Sequence, residues 1–297
     1  MSEEGIPGAL ADDVGLNGTE NDSPTVMVAL ANPRTESALV TLAGALAKRR
    51  GGRVLAIHIV QVPDQTALEA AADNDRIGSE SEALLDAAKA GAAAMGVAVE
   101  TKTVLSHRGI AEVFDLARTH GVDSVVMGYG GARFAGGRAE GTLDEIAHDL
   151  PCDFLVLNDR GFDPSRILVP TAGGYSSDLS AAVARALRDA LDAEVSVLYV
   201  ADEGETEAGR TFITDWAGER GLGEAEILVE TGDVEAAIER AATDKSLVVI
   251  GATGRGLLSR VVGGSLTLSV LEDLDASVLM AERPDERSFL ERLFGRR

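Results

Sequence analysis

Short apolar runs alternate with longer amphipathic stretches along most of the chain, and the alternation occurs twice. In the first passage Val26–Leu30, Val54–Val60, Val97–Leu105, Val122–Met127 and Phe154–Leu157 predict strands. Between them, Glu36–Arg50, residues 76–95, Ile110–His120 and Thr142–Leu150 carry helical spacing. The second passage repeats the order. Strands are predicted at Ile167–Val169, Val195–Val200, Glu226–Val229, Leu247–Ile250 and Val278–Met280. Helices are predicted at Ser177–Leu191, 206–219, Val234–Ala242 and Leu266–Leu271. Strands that alternate with helices predict parallel sheets joined by right-handed crossovers. A period of roughly 130 residues marks a duplicated domain, not a short solenoid repeat.

The expected division is a disordered acidic tail over 1–24, a first domain over 25–157, a linker over 158–165, a second domain over 166–282 and an Arg-rich amphipathic tail over 283–297. The first tail holds six acids and no base. In the last, Phe289, Leu290, Leu293 and Phe294 fall on one helical side among arginines. It reads as a short helix packed on the body, with docking to a partner or an anionic membrane as the alternative.

Composition narrows the picture. Aromatics are only 4% of the chain, so the core must be built from Val, Leu, Ile and Ala, which suits strands buried on both faces. The formal charge is −22, which repels the phosphate backbone and argues against nucleic-acid partners. Only four bases are lysines, and the acidic excess reads as adaptation to high salt, where repulsion is screened within about 3 Å at 1 M. Cys152 is the only cysteine and the four histidines are scattered, so neither a disulfide nor a metal site is expected. The N-terminal residues lack a basic segment followed by an apolar run, and no apolar run reaches the roughly 18 residues of a membrane span. A cytoplasmic protein is therefore expected.

The chemistry concentrates after the fourth strand of each passage. In the second, Gly251, Gly254, Gly264 and Ser265 form G-x2-G-x9-G-S, with Gly264-Ser265 opening a helix. In the first, Gly128, Gly131, Gly141 and Thr142 repeat the spacing. Glycine permits sharp turns and close approach of a ligand to the main chain. A helix N-terminus presents unpaired N–H groups and partial positive charge, which suits phosphate, and Ser265 or Thr142 supplies a cap or a phosphate-binding hydroxyl. The same spacing after the same strand, twice, favours a phosphate-site origin over two ordinary glycine turns.

This signature resembles the nucleotide-binding motif of the universal stress protein family. So do His58-Ile59-Val60 at the end of strand two and Tyr199-Val200 in the second passage. The openings Ala29-Leu30-Ala31-Asn32-Pro33 and Pro170-Thr171-Ala172-Gly173-Gly174 are similar to stress-protein domains of the haloarchaeal type, also found attached to amino-acid transporters. The resemblance implies two doubly wound α/β domains. Each would hold a five-stranded parallel sheet in the order 3-2-1-4-5, and the fifth strands would pair into an intramolecular pseudo-dimer, with a further homodimer left open. It also implies that the eight loop residues bind the phosphates of ATP, AMP or another adenine nucleotide, Mg2+ accompanying ATP. Ile59 and Val200 would offer backbone contacts to adenine.

The chain departs from the resemblance at one point. ATP-binding members usually carry an aspartate just past strand one, where this chain has Ala31 and Ala172, with Asn32 and Thr171 as nearby polar candidates. Losing such a bond costs about 1.5–3 kcal/mol, or one to two decades in affinity. Glu140 precedes the first loop's last glycine, whereas Arg255 and Arg260 lie in the second loop, so the second site is expected to bind more strongly. No catalytic residue is nominated, because no nucleophile, base and orienting group assemble. There is no G-x4-GK-(S/T) loop either. The readings, in order, are a nucleotide-binding stress-response regulator without fast catalysis, a nucleotide-free module regulating a membrane transporter, and an adenine-nucleotide hydrolase.

Overall fold

The computed structural model describes residues 23–72, 74–108, 110–129, 150–251 and 274–284. In chain order the first half runs β1 (Thr25–Leu30), α1 (Pro33–Arg50), β2 (Arg53–Gln61), α2 (Leu68–Ala72), α3 (Asp75–Ala94), β3 (Ala98–Ser106), α4 (Ile110–His120), β4 (Ser124–Gly128) and β5 (Asp153–Asn158). The second runs β6 (Arg166–Pro170), α5 (Tyr175–Leu191), β7 (Glu194–Ala201), α6 (Thr206–Glu219), β8 (Glu226–Thr231), α7 (Val234–Ala242), β9 (Leu247–Gly251) and β10 (Ser277–Glu282). The helices predicted at Thr142–Leu150 and Leu266–Leu271, and both terminal tails, lie outside the described residues, save Leu150 and the edges of the tails. Helix α2 has no counterpart among the predicted elements, being too short for a periodic signal.

All ten strands join one sheet in the order β3-β2-β1-β4-β5-β10-β9-β6-β7-β8. The order 3-2-1-4-5 thus occurs in each half, as expected. Every neighbouring pair is parallel except β5 and β10, which run antiparallel. Leu155 pairs with Ala281, Val156 with Met280 and Leu157 with Leu279, so a local two-fold passes through the Val156–Met280 pair. This places the join between halves at the middle of the sheet, where both strands are buried on both faces.

Alternation along each strand divides the core in two. Val26, Val28, Val54, Ala56, Leu155 and Leu157 face one side, beneath α1, α3, α5 and α6. Met27, Leu55, Ile57, Phe154 and Val156 face the other, with α4 and α7. On that side Phe114 and Phe154 stack with ring centroids 4.6 Å apart. Helices α1 and α5 pack against each other across the join, and Arg49 reaches Asp189 at 2.5 Å.

Local sequence explains where the helices flanking the site begin and end. Asn32 caps α1 by accepting from the Arg34 N–H at 3.0 Å, Pro33 occupies its first turn, and Gly51 closes it at φ +63°. In the second half Asp192 takes the corresponding left-handed position, at φ +59°. The connection from β5 to β6 is short and turned: Asp159 accepts from the N–H groups of Gly161 and Phe162 at 2.9 and 2.8 Å.

Candidate functional site

In an open parallel sheet the strand order reverses where two successive crossovers depart to opposite sides, leaving a crevice at the carboxyl ends of the strands. Here that point falls between β1 and β4, and again between β6 and β9. Gly128 is the last residue of β4 and Gly251 the last of β9, so the first glycine of each signature stands at a reversal point. Gly131, Gly141, Thr142, Gly254, Gly264 and Ser265 lie outside the described residues, as do Glu140, Arg255 and Arg260.

Gly128 faces the first turn of α1. A Cβ built there would meet Thr35 Oγ1 and Leu39 Cδ1 at 3.7 Å, ordinary contact distances. Among the described residues, fold packing therefore leaves room for a methyl at this position. Glu36, in the same turn, is buried, and burial raises its carboxyl above the usual carboxylate range.

The two reversal points differ in strand register. Strand β1 pairs with β4 through four register positions, from Val26–Ser124 to Ala29–Met127. Strand β6 pairs with β9 through only two, Ile167–Leu247 and Leu168–Val248. With the two strand-terminal glycines aligned, Pro170 stands where the first half has Ala29. Proline has no N–H to donate to a ladder, so β6 and β9 separate sooner than β1 and β4 do. Val249, Ile250 and Gly251 then have no register partner in β6 and pair only with β10.

Ile59 and Val200 occupy corresponding positions near the ends of β2 and β7. Both are partly buried against the same apolar cluster. The polar candidates beside the two alanines are committed to the backbone. Asn32 Oδ1 accepts the Arg34 N–H, and Thr171 Oγ1 accepts the Gly173 N–H at 2.9 Å. Each of these oxygens thus shapes the loop it belongs to.

Around β2 and β7 the halves diverge. Ser81 Oγ donates to the Ile77 carbonyl at 2.7 Å, so it accepts from His58 Nδ1 at 2.9 Å. Burial lowers the His58 pKa, and the neutral ring carries its proton on Nδ1. In the second half Tyr199 follows Leu198 as His58 follows Ile57, and it contacts Phe212 of α6 instead. Phe212 has no periodic or motif signal that singles it out in sequence. Among the described residues no group of three His, Cys, Asp or Glu side chains could hold a metal ion, and no helix is long and apolar enough to cross a membrane.

Comparison with known proteins finds a family model that matches most of the first half. Residues 23–158 match the Universal stress protein family. None of the curated proteins matches the chain. Among solved structures, a universal stress protein from Archaeoglobus fulgidus aligns with a TM-score of 0.61 at 16% identity, covering 90% of this chain and 98% of that one. A structure described as a putative universal stress protein from Pseudomonas aeruginosa aligns with a TM-score of 0.57 at 17% identity, covering 92% and 98%. At such identities the likeness is one of fold. Its coverage carries it through both halves, beyond the residues of the family match.

Proposed function

We propose that the chain is a tandem universal stress protein whose two halves, joined like a dimer through β5 and β10, form a cytoplasmic nucleotide-binding regulator without fast catalysis. The ligand is an adenine nucleotide, ATP or AMP, with Mg2+ accompanying ATP. The observation that carries this reading is the coincidence of glycine and topology: Gly128 and Gly251 each end the strand that borders the reversal crevice. A phosphate-binding loop needs bare main chain at that point, and the Gly128 position has room that packing among the described residues does not use. The shorter pairing between β6 and β9 supports the second half as the stronger site. The remaining glycines and the hydroxyls of Thr142 and Ser265 would hold the phosphates, and the main chain at Ile59 and Val200 would meet the base.

A second reading is a nucleotide-free module that regulates a partner such as a membrane transporter. It is favoured by Ala31 and Ala172 and by the commitment of Asn32 and Thr171 to their own loops. Mass analysis of small molecules released from freshly purified protein separates the readings. Adenine nucleotide is expected. None, even after soaking with ATP, would leave the module, and turnover of ATP above buffer would indicate a hydrolase. Titrating a labelled ATP analogue into Gly264→Val and Gly141→Val then assigns the stronger half, with the larger loss expected for Gly264→Val.

A further inference from the structure

In a chain with only 4% aromatic residues, one large ring among the described residues stands out in solvent, beside the carboxyl ends of β6 and β7. Phe212 of α6 is 44% exposed and joins neither core cluster. It is nevertheless held in place. Its ring lies tilted on Tyr199, centroids 5.4 Å apart at 56°, and Tyr199 itself packs on the core. Two glycines make room for the pair. A Cβ at Gly173 would fall 2.3 Å from Phe212 Cζ, and Gly173 sits at φ +77°, where side chains are strained. A Cβ at Gly209 would fall 3.0 Å from Tyr199 Cε1.

The ring's position relates it to the site. Gly173 directly follows Ala172, and Tyr199 directly precedes Val200 on β7, its ring on the opposite face of the sheet from the Val200 side chain. The first half has the polar His58–Ser81 pair at the corresponding place. An exposed ring braced by a second ring and clear of the core is what a planar ligand needs for stacking, because each face contact is made without ordering a flexible chain.

We propose that Phe212, braced by Tyr199 and Gly173, is the stacking platform for the base of a nucleotide bound in the second half, an aromatic contact in place of the carboxylate absent at Ala172. This rests on the nucleotide-binding reading above. It predicts that the second half selects ligands by their planar ring as well as by their phosphates.

The test is calorimetric titration of the full chain and its Phe212→Ala, Phe212→Leu and Phe212→Trp variants with ATP, adenosine and inorganic tripolyphosphate. Phe212 is exposed, so the variants should fold, which circular dichroism checks. In Phe212→Ala and Phe212→Leu, affinity for ATP and adenosine should fall roughly tenfold, with tripolyphosphate unaffected and Phe212→Trp close to the parent. A loss of ATP affinity below about twofold would overturn the platform while leaving nucleotide binding intact. An equal loss for tripolyphosphate would overturn it too, because the ring would then act on the phosphate site. A parent chain that binds neither ATP nor adenosine would instead remove the nucleotide reading, and the platform with it.

Discussion

Replacing Leu157 by alanine should weaken both halves of the molecule together. Leu157 is 1% exposed on β5 and pairs with Leu279, 0% exposed, on β10 across the join. Removing three carbons from so enclosed a position costs about 3 kcal/mol, within the usual Leu→Ala range, because the surrounding strands cannot collapse into the cavity. At a urea dependence of about 3 kcal/mol per molar, the unfolding midpoint should fall by roughly 1 M. The single tryptophan makes the assay decisive. Trp216 is buried on α6 of the second half, whereas Leu157 belongs to the first. Tryptophan fluorescence therefore reports the second half, and far-UV circular dichroism the whole chain. Both should shift by the same amount in Leu157→Ala, measured at one fixed high salt concentration. Leu279→Ala should do likewise, and the double variant should lose less than the sum because the two side chains share one cavity. A fluorescence midpoint that stays put while the dichroism curve splits would refute the claim that the ten-stranded sheet unfolds as one unit.

Two further outcomes follow from single residues. Asp192→Gly should raise stability by roughly 0.5–1 kcal/mol, since Asp192 holds a left-handed conformation that glycine tolerates and that Gly51 serves in the first half; thermal unfolding measures it. The Cys152 thiol should be inert in the folded chain. Burial first, then the charges of Asp153 and Asp123, push its pKa up from 9.0 to about 12, so labelling at pH 8 should run about a thousandfold slower than in urea. Labelling at the denatured rate would contradict its burial.

Much of this architecture could be read from residue patterning. Each of the ten predicted strands is present: those in the middle of the sheet are apolar because both faces are buried, whereas the edge strands β3 and β8, largely exposed or half-buried, mix apolar with polar residues. The boundaries moved by one to three residues for local reasons. Pro33 starts α1 earlier than the apolar spacing indicates, and the Gly121 turn delays β4 to Ser124. Gly128 and Gly251, singled out by the repeated spacing, stand at the two reversal points of the sheet, whose strand order the family resemblance implied.

The order of residues alone was therefore enough for the succession of elements and their duplication. These depend on periodicity and on short-range conformational preference, which are properties of neighbouring residues. How the two crevices differ was settled by packing in three dimensions. That β6 leaves β9 after Leu168, that the oxygens of Asn32 and Thr171 bond their own loops, and that Phe212 lies across Gly173 beside Tyr199 all depend on register and on contacts through space. The last of these joins residues dozens of positions apart, and no local pattern encodes such a distance.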